Sequence, residues 1–192
     1  MIRISTSQLK ALAAIFMLTS VMFFSVQTTA AVVPATPEPD AWYPNAIITT
    51  ETASMYVTYG TNSYFEIAIQ GIYDPFSDVQ NGTFNGWCFE KSVPMTKEMW
   101  HHVKLCHSYD PNKPAVFDNG NWDMINYIIN HKAGWDKDTI QETIWYFIEG
   151  TTTTSPTALA LIEEAEQQGS GYCPSAGDLL AVLVYLDPAE EP

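Results

Sequence analysis

Between Ser63 and Tyr73 the chain alternates Phe65, Ile67 and Ile69 with Tyr64, Glu66, Ala68 and Gln70, a period of two that belongs to a strand with one buried face. From Thr139 to Ile148 the period changes, and Ile140, Ile144, Phe147 and Ile148 fall on one stripe of a helix. A chain with both patterns must bury a sheet face and a helix face together. Ala46 to Thr50 and Ser54 to Tyr59 read as further short strands. The pairs Asn81-Gly82 and Asn85-Gly86 are turn signals, so Cys88 is expected to open, or sit on, a strand running to about Val93. Thr96 to Leu105 reads as a short helix with Met95, Trp100 and Val103 as its apolar members. Asp123 to His131 has helical spacing after the turn pair Asn119-Gly120. Asp138 is a suitable cap for the next helix and Gly150 its stop; Ser155-Pro156 starts a third, which ends before Gly169. Leu179 to Leu186 is apolar throughout, as a buried closing strand is. Strands at both ends and helices between predict an α+β domain. Its mostly antiparallel sheet, sandwich or barrel-like, would hold an inserted helical section.

The N-terminus sets the expected compartment. Arg3 and Lys10 form a small cationic region, Ala11 to Val26 is an apolar run too short for a membrane span, and Thr28-Thr29-Ala30-Ala31 offers small residues for cleavage. Residues 1–31 are read as a signal peptide and left out of the fold, an uncleaved anchor being the alternative. The protein is expected to be secreted or held at an extracellular surface. Val32 to Pro44 carries Pro34, Pro37, Pro39 and Pro44 and reads as an extended linker. Residues 45–192 remain as a single domain, since the roughly 160 residues after cleavage suffice for one core but hardly for two. Without Arg3 and Lys10 there are six basic side chains against 22 acidic ones, a net charge of −16. That charge repels phosphate backbones and anionic lipid, so nucleic acid is not an expected partner. It steers the protein toward basic, lysine-rich partners, although solubility alone accounts for it more simply.

Two short strings carry chemistry. Trp87-Cys88 is followed, 53 positions after the Cys, by Gln141 in Ile140-Gln141-Glu142-Thr143-Ile144-Trp145. An aromatic residue before Cys, and a hydrophobic-Gln-x-x-hydrophobic-Trp string, resemble the two signatures of thioester domains in prokaryotic surface adhesins. The string Asn126-Tyr127-Ile128-Ile129-Asn130 also looks like the segment preceding the Gln helix in that family. The likeness extends from about Ser63 to Leu186. It departs from the family at Trp87, where Tyr is more usual, and at Phe89-Glu90. The resemblance implies that the Cys88 sulfur and the Gln141 carboxamide carbon form an internal thioester. A target lysine amine then displaces the sulfur and leaves an isopeptide on Gln141. Such a domain reacts once and is not a turnover enzyme.

Forming the bond requires the two groups to be held in contact, away from bulk water, with polar groups aimed at the developing oxyanion. Trp87, Trp145 and Tyr146 are candidates to exclude water, with Ile144 a supporting neighbour on the helix. Glu142, Glu90 and His131 are candidates to assist. In a secreted protein three cysteines leave one unpaired. A thioester at Cys88 would remove that oddity and leave Cys106 and Cys173 for one disulfide.

Other readings are open. His101, His102, Cys106 and His107 are metal-capable, but no pattern of supporting residues accompanies them, and neither a metal nor a cofactor is expected. A cysteine hydrolase using Cys88 with one of these histidines lacks a local signature. Asn81-Gly82-Thr83 fits an N-glycosylation acceptor as well as a turn. Trp42, Tyr43, Trp122 and Trp135 are candidates for stacking on sugars. They make non-covalent adhesion or carbohydrate binding, with the same fold and no thioester, the main rival.

Overall fold

Met55 lies opposite Ile69 and Val57 opposite Ile67 where strands β2 (Ala53–Tyr59) and β3 (Phe65–Gln70) pair antiparallel, so the alternation read in the sequence puts these apolar residues on one face. The computed structural model describes residues 13–17, as strand backbone, and residues 46–48, 52–118, 120–175 and 177–186. Next to β3 runs β4 (Gly82–Cys88), and next to β2 runs β5 (Trp100–His107), which pairs in turn with β6 (Ala181–Leu186). These five strands form a curled antiparallel sheet in the order β4-β3-β2-β5-β6. The strand β1 (Ala13–Met17) lies between β4 and β6, antiparallel to both, and with it the ring of strands is closed.

Two apolar clusters follow from the pleat. Ala53, Met55, Val57, Phe65, Ile67, Ile69, Cys88, Val103, Leu105, Val182 and Val184 are buried together on the concave side of the sheet. Residues of opposite parity, Trp87, Cys106, Ala181 and Leu183, pack against the helices α1 (Trp122–His131), α2 (Lys137–Glu149) and α3 (Pro156–Gln168). All three helices lie between β5 and β6 in the chain. Asn126 and Asn130 of α1 lock it to β6: Asn126 Oδ1 accepts from Ala181 N, while Asn130 pairs with both the N–H and the carbonyl of Leu179.

The segment expected as a helix over Thr96 to Leu105 is instead the approach to β5 and most of that strand. Glu98 sits at φ 62, outside helical space, and its N–H donates to Val57 O at 2.9 Å, so the chain is turned onto β2 before a helix could start. Ala46 to Ile48 are not a strand, and residues 49 and 50 lie outside the described set. The strand at Cys88 precedes the cysteine instead of following it. Asn85-Gly86 lies inside β4 and is no turn; Gly86 faces Phe65 across the ladder. Residues 13–17 come from the stretch read as signal peptide, and in the whole chain they fill the seam between β4 and β6. The rest of that stretch, the linker 32–44 with Trp42 and Tyr43, and Asn119 lie outside the described residues.

Candidate functional site

Cys88 ends β4 with its side chain on the concave side, and it is buried. Gln141 is carried by α2, whose N-terminus is capped by Asp136, two residues earlier than the expected Asp138. The Asp136 carboxylate accepts from Asp138 N at 3.0 Å, from Thr139 N at 2.9 Å and from the Thr139 hydroxyl at 2.6 Å. Gly150 stops the helix in the left-handed conformation at φ 67, its N–H on Tyr146 O. Lys137 Nζ, donating to Gly60 O at 2.7 Å, ties the start of α2 to the β2–β3 hairpin. A helix fixed at both ends holds Gln141 against the last residue of β4.

The contact is two-pronged. Cys88 N donates to Gln141 Oε1 at 2.7 Å, and Gln141 Nε2 donates to Cys88 O at 2.8 Å, with Gln141 only 1 % exposed. The side-chain amide thereby takes the place of a further strand at the end of β4. The Cys88 thiol donates to Glu90 O at 3.0 Å. Burial pushes that thiol up, a backbone hydrogen bond at Glu90 opposes the rise, and the charges of Glu149 and Glu90 add to it. The Trp145 indole N–H, otherwise without an acceptor among the described residues, is turned to the sulfur and pulls in the opposite direction.

Of the aromatics expected to exclude water, Trp145 alone stands by the sulfur. Strand alternation sends the fully buried Trp87 to the opposite face, where the Lys132 ammonium lies 4.9 Å from its ring. Tyr146 points toward α3, its hydroxyl on Glu166. Ile144 is fully buried in the cluster under the helices. The sequence reading missed Tyr64, which packs edge-on against Trp145 with ring centroids 5.7 Å apart and whose hydroxyl is pushed up first by burial and next by the charge of Cys88. It also missed Lys91, whose ammonium sits 5.2 Å from the Trp145 ring and whose N–H donates to the Glu149 carboxylate. Neither residue carries a motif of its own; only the fold brings them here.

Among the candidate assistants, Glu90 is buried beside Cys88 in the chain, and Glu142 is half-buried and accepts from the Thr153 hydroxyl at 2.7 Å. His131 is elsewhere, stacked on Tyr127. Cys106 and Cys173 form no disulfide: Cys106 is buried on β5 among apolar side chains, with its thiol pushed up to about 12, and Cys173 is exposed beyond α3. The histidines also disperse. His101 engages Thr96 O, His102 is exposed, and His107 is buried with its imidazole pushed down by burial. No group of three metal-capable side chains occurs among the described residues.

Trp122 is buried and donates to Phe117 O, so it offers no open stacking face, while Trp135 is half-buried against the core. Both polar ends of the Asn81 amide are taken up by Ile72, whose N–H and carbonyl it pairs at 2.9 and 3.0 Å. No protein family, curated protein or solved structure matches this chain.

Proposed function

We propose that this protein is a secreted or surface-held thioester domain in which Cys88 and Gln141 react with each other and then, once, with an amine on a target. The carrying observation is the double hydrogen bond between the Gln141 amide and the Cys88 main chain, across 53 residues of sequence. It sets the amide carbon beside the cysteine, with the Cys88 N–H already donating to the oxygen that would become the oxyanion. In the reaction the sulfur leaves Glu90 O and attacks the Gln141 Cδ. The C–S bond forms, the C–N bond breaks, and the nitrogen departs as ammonia with the thiol proton. A buried Cys88 flanked by Trp145 and Tyr64 would protect the product from water. In this reading the helices between β5 and β6 are the inserted section that presents the glutamine, and the acidic chain meets a lysine-bearing partner.

A second reading has its own observation. Asn81 pairs with Ile72 and Asn130 with Leu179 in the same two-pronged way, so Gln141 would be a third amide clasp that satisfies a strand end and forms no covalent bond. Non-covalent adhesion would then be the function. Intact mass separates the two. The thioester form is lighter than the reduced chain by one ammonia, and methylamine adds to Gln141 while freeing one thiol. A Cys88 that alkylates in the native, untreated protein, beside an ordinary Gln141 amide, leaves the clasp.

A further inference from the structure

A cavity of about 350 Å³ is lined by Lys91, Glu142, Trp145 and the loop 151–155, and Trp145 connects it to the surroundings of Cys88. Trp145 belongs to both places: its indole N–H faces the Cys88 sulfur, while its ring forms a wall of the cavity. The Lys91 ammonium lies over that ring at 5.2 Å, so the indole already seats an alkylammonium, one supplied by this chain itself. Glu142 follows Gln141 directly in the helix. The Thr153 hydroxyl orients its carboxylate, and Thr153 is braced in turn by the Ser155 N–H at 3.1 Å. An aromatic face, a carboxylate and a rim of hydroxyls are the groups that a primary ammonium needs.

We infer that this cavity is the docking site of the attacking amine, an alkylammonium that takes the place of Lys91 on the Trp145 ring and is bound and deprotonated by Glu142. The inference rests on the thioester reading. Glu142 takes one proton from the ammonium, and the free amine attacks the Gln141 thioester carbon. The C–N bond forms, the C–S bond breaks, and the second amine proton goes to the departing Cys88 sulfur. The products are an amide at Gln141, a free thiol at Cys88 and a proton passed from Glu142 to water.

The test compares two nucleophiles on the whole protein, with thiol release as the readout: Nα-acetyl-lysine amide, which is cationic at neutral pH, and hydroxylamine, which is not. Hydroxylamine reports whether a thioester is present, a thermal melt reports whether each variant is folded, and the ratio of the two rate constants isolates recognition of the ammonium. Glu142→Gln is expected to lower that ratio about tenfold or more, through lost charge and a lost base. Lys91→Ala is expected to raise it roughly two- to fivefold by vacating the ring. A ratio unchanged in either variant overturns the docking site. If hydroxylamine frees no thiol from the unsubstituted protein, the thioester reading itself fails, and the docking site with it.

Discussion

Gln141 is the residue on which both functional readings converge, and in a Cys88→Ala background, where no thioester can form, its structural weight can be measured by itself. Its amide satisfies the N–H and the carbonyl of Cys88 in a place from which water is excluded. Gln141→Ala strands both groups, and each buried orphan costs about 1–3 kcal/mol. The expected result is a fall in unfolding free energy of roughly 2–5 kcal/mol by denaturant titration, with the slope unchanged. A loss under 1 kcal/mol would mean that the clasp is not made in solution. The motif singled out Cys88 and Gln141, and the fold puts them together. Parity of cysteines pointed the same way for a reason that does not hold, because Cys106 and Cys173 are not bridged and an odd count then distinguishes none of the three. Trp87, adjacent to Cys88 in sequence, is on the far side of the strand from it; adjacency along a strand means separation across the sheet.

Helix α2 places the glutamine, and the signals that define it are local. Asp136 holds three donors at its start, and these hydrogen bonds, chiefly from the Thr139 hydroxyl and N–H, keep its carboxyl below the usual value of 3.8. Asp136→Ala is expected to cost about 1 kcal/mol of stability at neutral pH. The sign with pH follows from the lowered carboxyl. The contribution is complete above the unfolded value near 3.8 and disappears as the pH falls through the folded one, so wild type and variant converge in acid. Thermal melts of both proteins from neutral pH down to about pH 2 check this. The helix over Lys137–Glu149 and its glycine stop were legible in the sequence, and its cap was misplaced by two residues because Asp136 and Asp138 are equally good candidates until the backbone turns. The misread segment at Thr96 to Leu105 shows the opposite case. Its spacing fits a helix, but β2 and β6 provide ladder partners on both sides, and pairing overrides propensity.

At the scale of the whole molecule, closure of the ring of strands turns on the seam between β4 and β6. Residues 13–17 fill it by pairing with both strands, Ala14 opposite Cys88 on one side and Val184 on the other. A chain beginning at residue 32 exposes the seam-side edges of β4 and β6, one of them ending at the candidate thioester. Such a chain is expected to melt below the full-length protein, and a peptide spanning residues 12–18, added in trans, is expected to raise its Tm with rising peptide concentration. Equal melting temperatures and no response to the peptide would show that the five-stranded sheet closes without it.

The amino-acid sequence alone determined the elements whose signals are short-range: the alternating strand at Phe65–Gln70, the three helices with the Ser155 cap of α3 and the glycine stops of α2 and α3, and the pair Cys88 and Gln141 as the place to look. Only the tertiary structure decided what meets at that pair. Tyr64 and Lys91 arrive there from separate parts of the chain, while Glu149 ends the glutamine's own helix and the threonine loop after it folds back onto Glu142. The curl of the sheet and the anchoring of α2 bring them together, through long-range pairing that no local period encodes.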